Sequence, residues 1–290
     1  MAESRAGFVA LLGPPNVGKS SLLNALLGQR LAIVSPRPQT TRSRILGILP
    51  RGDAQILFLD TPGRHDGTKT LNATLNAIVD EAARDCDVAL LLVDSTRGWS
   101  GIHDELLRAL SSKSAALVVV ETKTDLPAAR TGLPIPEALA SGVVRVSARR
   151  KTGLEALLDA IVAKLPASPP LYGEDELTDR PVRWLCAELI REAAMRLLDE
   201  ELPHSIAVQL HSYEESDPRL VRICADLLVE RESQKRIVVG QGGRQIKQIG
   251  IRAREAIEAF IERRVHLELF VKVDPRWSQS ARRMAELGYH

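Results

Sequence analysis

Short apolar runs recur through the first 165 positions, at residues 8–12, 45–49, 55–59, 88–93, 117–120 and 143–146. Three are apolar at every position and the others at all but one, the pattern of a strand buried on both faces. Between them, apolar residues fall at helical spacing over residues 20–27, 75–83, 104–109 and 154–165. Strands alternating with helices predict a doubly wound, mostly parallel sheet covered on both sides, an α/β domain over residues 1–165. Ligands of such a sheet sit beyond the carboxyl ends of its strands.

The pattern then changes. Residues 166–180 hold a proline-rich stretch followed by the acidic Gly173-Glu174-Asp175-Glu176, which reads as a linker. Beyond it come a helix over residues 182–199 and strands near 205–213 and 220–229. A helical region around a glycine cluster follows, then a strand at 265–273 and a short last helix. The order α-β-β-α-α-β predicts a smaller α+β domain over residues 181–290. No internal repeat or low-complexity tract interrupts either part.

Composition changes the picture little. Hydrophobic residues make up 44% and charged residues 26%, ordinary for a globular chain, while aromatics at 3% leave the cores to Leu, Val, Ile and Ala. The three cysteines, Cys86, Cys186 and Cys224, show no metal-ligand or disulfide spacing, so a reducing cytoplasm is expected. No apolar stretch is long enough to span a bilayer, and the amino terminus lacks the signature of a signal peptide.

The first candidate chemistry lies between the first strand and the first helix. Gly13-Pro14-Pro15-Asn16-Val17-Gly18-Lys19-Ser20, followed by Ser21, has the spacing of a phosphate-binding P-loop in the strand–helix context that motif needs. Glycines let the backbone N–H groups and the helix amino terminus face phosphates. Lys19 is expected to reach the β- and γ-phosphates, and Ser20 to bind Mg²⁺. Asp60-Thr61-Pro62-Gly63 follows the third strand, where a carboxylate can hold Mg²⁺ through water and the Gly63 N–H can sense a γ-phosphate. Thr122-Lys123-Thr124-Asp125 follows the fifth. A carboxylate at Asp125 accepts two N–H bonds from the guanine edge, which adenine cannot offer, and Lys123 lays its stem along the base. Ser147-Ala148 falls where a backbone N–H can meet the guanine carbonyl.

In order and placement these four segments resemble the translation-factor-related class of small GTPases. Residues Pro38 to Arg42 resemble the first switch of that class, comprising Gln39, Thr40, Thr41 and Arg42. Thr41 is the choice for the threonine that joins the Mg²⁺ shell, with Thr40 the alternative. Two departures stand out. Arg64 occupies the position where Ras-like proteins place a water-orienting glutamine, so no hydrolytic base is assignable and slow intrinsic hydrolysis is expected. His65 is the one candidate helper. Thr122 stands where asparagine is usual, and loss of the amide that ties the base to the P-loop predicts weaker nucleotide binding.

In the second domain, residues 237–247 give an apolar run, Gly240-Gln241-Gly242-Gly243, then Arg244, Ile246 and Lys247, matching the KH pattern of GxxG and a following isoleucine. From residue 233 to 254 there are six basic residues (Lys235, Arg236, Arg244, Lys247, Arg252, Arg254) and no acidic one. The region from Pro166 onward holds 19 basic against 21 acidic. The positive charge is therefore segregated, as a phosphate-backbone footprint requires. No aromatic residue precedes Phe260 there, so an aliphatic groove and basic loop must replace base stacking. Trp184, Trp277, His204, His211 and His266 read as structural.

A P-loop GTPase joined to a carboxyl-terminal, type II KH domain resembles the bacterial Era family of GTPases, and the resemblance covers almost the whole chain. It includes residues 39–42, 174–181, 202–205, 229–235, 269–273 and 286–289. It implies a GTP/GDP switch with Mg²⁺, a KH domain that binds single-stranded RNA near the 3′ end of 16S ribosomal RNA, and a role in small (30S) subunit assembly. It also implies a monomer in the cytoplasm with peripheral association with the inner membrane. The rivals are an RNA-binding assembly factor whose nucleotide is structural, with negligible turnover, and an ATP-dependent enzyme on the same loop.

Overall fold

The apolar runs form the strands they predict, most with boundaries extended by one to three residues and the last, at Val143–Arg145, one residue shorter. The computed structural model describes residues 4–35, 37, 40–64, 70–111, 115–131, 133–136, 139, 142–198, 202, 205–275 and 277–289. Gln39, His65 and His204 lie outside the described residues, and no structural statement is made of them. Contacts divide the chain into two units: Met1–Ala32 with Thr41–Asp179, and Ile33–Thr40 with Arg180–His290.

In the first unit six strands make one sheet: β1 (Arg5–Leu12), β2 (Ile45–Arg51), β3 (Ala54–Asp60), β4 (Val88–Asp94), β5 (Ala116–Thr122) and β6 (Val143–Arg145). Their order is β2-β3-β1-β4-β5-β6, all parallel except β2, which pairs antiparallel with β3. Every residue of β3 and β4 is buried, as strands covered on both faces must be. The covering helices are α1 (Lys19–Leu27), α2 (Thr70–Asp85), α3 (Gly101–Ser111) and α4 (Leu154–Val162). Strand β1 lies between β3 and β4, so the sheet is wound outward from it in both directions. The crevice beyond its carboxyl end is the expected ligand position.

The stretch read as a linker is strapped to this unit. Ala167 bridges to Arg5, and the Gln55 side chain accepts the N–H of Leu171 and Tyr172 while donating to Tyr172 O. The Ile48 N–H on edge strand β2 donates to Leu177 O at 2.9 Å. Covering an edge this way satisfies donors that otherwise invite another strand. Proline and acidic composition signalled irregular backbone correctly but said nothing about where its hydrogen bonds go.

The second unit contains α5 (Val182–Leu197), β7 (Ala207–Asp217), β8 (Leu220–Val229), α6 (Glu232–Val239), α7 (Arg244–Ile261), β9 (Arg264–Val273) and α8 (Ala281–Glu286). A single 3-10 turn, Gln241–Gly243, joins α6 to α7. The sheet order is β7-β8-β9, antiparallel then parallel, and the parallel pair takes the helical crossover that such a connection requires. This is the α-β-β-α-α-β arrangement of a type II KH domain. Its core brings Ile190 and Ala194 of α5 and Ile249, Ala253 and Ile257 of α7 against β8. No helix among the described residues is long and apolar enough to cross a membrane.

Candidate nucleotide site and nucleic-acid groove

The loop after β1 curls through three positive φ angles, at Gly13 (152°), Asn16 (60°) and Gly18 (108°). Gly13 has a second constraint, because a Cβ there sits 2.9 Å from Leu92 O on neighbouring β4. Lys19, the first residue of α1, is 6% exposed, and its Nζ donates to Gly13 O and Pro14 O at 3.1 and 3.0 Å. Burial lowers its pKa to about 8, against an opposing pull from Asp60. A cation held by the carbonyls of the loop it serves is pre-placed for an anion seated in that loop.

Beside it three oxygens converge. Ser20 Oγ donates to Asp60 Oδ2 at 2.6 Å and lies 2.9 Å from Thr41 Oγ1, which itself donates to Asp60 Oδ2 at 3.4 Å. Asp60 is fully buried. Burial raises its pKa to about 6, while Ser20, Lys19 and Thr41 hold it down. Its other oxygen, Oδ1, is buried without a hydrogen-bond partner. Two hydroxyls and a carboxylate with an unsatisfied oxygen suit a small hard divalent cation such as Mg²⁺. Of the two threonines, Thr41 reaches this cluster, whereas the Thr40 hydroxyl turns away to Arg37 O at 2.6 Å. Arg42 is buried beside it.

The segment after Asp60 is pinned close to the phosphate loop. Thr61 Oγ1 donates to Leu11 O at 2.7 Å, and a Cβ on Gly63 falls 2.6 Å from Pro15 Cα, so only glycine permits that approach. Arg64 joins two helices: Nη1 meets Asp80 of α2 at 2.5 Å and Nε meets Glu105 of α3 at 3.1 Å. Its guanidinium is thus committed to structure, and it supplies no base.

At the carboxyl ends of β5 and β6 a cavity of about 210 Å³ is bordered by Gly18, Thr122, Lys123, Asp125 and Ala148. Asp125 accepts from Ser147 Oγ at 2.7 Å, and this bond is the main reason its pKa lies below the usual carboxylate range. The Ser147 N–H is already bonded to Thr152 O, so Ser147 orients the carboxylate while Ala148 borders the cavity. Thr124 N–H reaches Val146 O at 3.4 Å. Thr122 supplies a contact of its own in place of the amide. Its hydroxyl donates to Val17 O at 2.7 Å, so the tie to the phosphate loop survives without an amide. Lys123, at φ 58°, adds a second tie through Nζ to Asn16 O and Asp94 Oδ2, both at 2.6 Å.

In the second unit the turn between α6 and α7 places Gly240, Gly242 and Gly243 at φ 70°, 59° and 75°. At Gly240 a Cβ lies 2.7 Å from Gln245 Cβ, so glycine sets the closeness of the two helices. Gln241, Gly242, Arg244, Arg236 and Lys247 are exposed, and Lys235 is half-buried. Next to the turn, between α7 and β9, lies a groove of about 310 Å³ with Ile246, Ile251, Leu267 and Leu269 on its walls and Lys247 and Arg254 among its lining. Its lining is aliphatic and basic, with no aromatic residue among it.

Trp277 is buried, with Nε1 donating to Ser205 O, and Trp184 packs under Arg180. His211 pairs with Asp226, and His266 with Glu268. Sequence reasoning missed His103, buried behind the loop, where Nε2 lies 3.1 Å from Leu92 O and Nδ1 faces Ser100. It also missed the buried Arg191–Glu188 pair on α5. Neither carries a motif; only tertiary placement marks them.

Both units have relatives among known proteins. The family described as 50S ribosome-binding GTPase matches residues 8–123, and the KH domain family matches residues 201–278. The curated GTPase Era of Geotalea uraniireducens (strain Rf4) is 41% identical, over 99% of this chain and 98% of its own length. A crystal structure of Era in complex with MgGDPNP and nucleotides 1506–1542 of 16S ribosomal RNA superposes with a TM-score of 0.90 at 36% identity, covering 99% of each chain. A crystal structure of an Aquifex aeolicus Era variant bound to GDP·AlF4⁻ gives 0.90 at 37% identity, covering 98% of this chain and 99% of that one.

Proposed function

This chain belongs to the Era family of GTPases, and from that premise we propose that it is a Mg²⁺-dependent GTP switch that binds the 3′ region of 16S ribosomal RNA and assists 30S subunit assembly. The observation that carries the reading is one chain holding the Ser20–Thr41–Asp60 oxygen cluster, the Asp125 carboxylate at a cavity bordered by the phosphate loop, and a basic aliphatic groove next to a GxxG turn. Bound Mg²⁺ supplies charge neutralisation at the β- and γ-phosphate oxygens.

The chain's own residues divide the remaining work. Loop residues 13–18 cradle phosphates with backbone N–H groups, and Lys19 leaves the loop carbonyls to meet phosphate oxygens. Ser20 and Thr41 offer hydroxyls to the metal, and Asp60 holds it through water. Gly63 faces the γ-phosphate, Asp125 reads the guanine edge, Lys123 covers the base, and Ala148 offers its N–H to the guanine carbonyl. With Arg64 bound to Asp80 and Glu105, turnover without RNA is slow. Residues 181–290 act as the RNA-binding module. Lys235, Arg236, Arg244 and Lys247 meet backbone phosphates near Gly240–Gly243, while the aliphatic walls receive bases. We place the protein in the cytoplasm as a monomer, with peripheral contact to the inner membrane.

Two measurements test this. Cosedimentation with a GTP analogue and Mg²⁺ should recover the protein with small subunits and precursors lacking late proteins; recovery with large subunits alone defeats the assembly claim. In a competition assay, Asp125→Ala should abolish preference for GTP over ATP, with GTP affinity falling on the order of a hundredfold as two charge-assisted hydrogen bonds are lost. Persisting guanine preference removes Asp125 from the site.

A further inference from the structure

The loop between α1 and β2 belongs in sequence to the first domain, yet its residues Ile33, Val34 and Thr40 belong to the second unit. Ile33 is 2% exposed in that unit's core, among Ile190, Ala194 and Met195. Val34 is gripped at both backbone polar groups: its N–H donates to Glu192 Oε1 at 3.4 Å, and its carbonyl accepts from Arg196 Nη2 at 3.0 Å. Glu192 and Arg196 are themselves paired at 2.8 Å. At the other end, Arg191 Nη2 donates to the Thr40 carbonyl at 2.5 Å.

Arg191 is fully buried. Glu188 holds its guanidinium through Nε at 2.8 Å and through Nη2, while Nη1 faces Met195 Sδ at 3.2 Å. Burying an ion pair is a weak way to gain stability, because an apolar pair of equal volume usually serves as well or better. What the pair supplies here is direction: a planar fork fixed by a carboxylate, with one donor aimed at a single main-chain oxygen. The next residue along the chain is Thr41, whose hydroxyl lies 2.9 Å from Ser20 Oγ.

We propose that Arg191, oriented by Glu188, is a positioning residue for GTP hydrolysis: it fixes the Thr40 carbonyl and so sets the backbone that presents the Thr41 hydroxyl to the metal site. This rests on reading Ser20, Thr41 and Asp60 as that site. It gives the KH unit, through α5, a hold one peptide bond away from the residue that distinguishes GTP from GDP. Arg191 touches neither nucleotide nor metal and acts only through Thr40.

The test uses the full chain and two variants. Arg191→Lys keeps a charge beside Glu188 but cannot hold both Glu188 oxygens and the Thr40 carbonyl. The double variant Glu188→Gln/Arg191→Met removes both charges, leaving no unpaired buried carboxylate. Titrating Mg²⁺ against a fluorescent non-hydrolysable GTP analogue should show the half-saturating Mg²⁺ concentration rising on the order of tenfold in both, the scale of one lost charge-assisted hydrogen bond. GDP affinity and binding of a single-stranded 16S 3′ fragment should stay within about twofold. Hydrogen exchange across residues 33–41 should quicken in both variants. A folded double variant with wild-type Mg²⁺ dependence and exchange makes the pair merely structural and overturns the proposal. So does an equal loss of GDP and analogue affinity. If instead the wild-type chain binds the analogue with no Mg²⁺ dependence, the parent reading of the metal site fails, and the clamp with it. Should the double variant not fold, Arg191→Lys decides by the same readouts.

Discussion

Single side chains in the nucleotide site carry charges that the bare protein holds at a cost. Asp60 is raised from 3.8 to about 6 and Lys19 lowered from 10.5 to about 8, burial being the main cause in both. A carboxylate with a raised folded pKa stabilises below its unfolded value and loses that contribution as pH climbs through 4 to 6. An ammonium with a lowered folded pKa does the opposite, and its penalty is relieved only as pH rises from 8 toward 10.5. Stability of the nucleotide-free protein should therefore show a shallow minimum between pH 6 and 8, where both groups are charged. Urea unfolding from pH 5 to 9 tests it, and Mg²⁺·GDP should fill in the minimum. Thr122 is the other residue with a sharp expectation. Replacing it with Val leaves Val17 O without its donor, which costs about 1–3 kcal/mol of folding stability. With the loop untied, GDP should bind at least roughly fivefold more weakly, and about 150-fold at the limit where the whole cost falls on the bound state. Thr122→Ser should bind as wild type, and fluorescence titration distinguishes the two.

Elements convert those residues into sites. The phosphate loop works because β1 is the strand from which the sheet winds both ways, so the loop opens into the crevice between β3 and β4. The groove of the second unit works because Gly240 lets α6 and α7 approach, placing Ile246 and Ile251 of α7 opposite Leu267 and Leu269 of β9. If Lys247 at the groove meets a phosphate, Lys247→Ala should weaken binding of a single-stranded 16S 3′ fragment. It should also reduce the slope of log K against log salt by about 0.7, one released counterion on a single strand. An unchanged slope takes Lys247 off the phosphate path. Much at this scale was legible in advance. Continuous apolar runs announced β3 and β4, and the GxxG spacing announced the turn. The strap over β2 was not legible, since Gln55 and Leu177 reveal a shared edge only after folding.

For the molecule as a whole, the division into two units suggests two cooperative transitions. Scanning calorimetry should resolve them. Mg²⁺·GDP at a hundredfold excess over its dissociation constant should stabilise the first by about 2.7 kcal/mol, and saturating RNA fragment should stabilise the second similarly. A single transition raised equally by either ligand argues that the units unfold as one.

The sequence by itself determined which chemistries are present. A phosphate loop, a strand-end carboxylate and a GxxG turn are local, fixed-spacing devices, because the backbone geometry each requires is encoded within a few adjacent residues. It chose Thr41 with Thr40 as the alternative and noted the missing amide at Thr122, but neighbouring residues have nothing to say about which hydroxyl meets Ser20 or Val17. Only the tertiary structure decided those points. It also decided that Arg64 is occupied by two helices and that Val34 and Thr40 are held by α5. Each depends on partners 16 to more than 150 positions away, and burial alone brings such groups within hydrogen-bond reach.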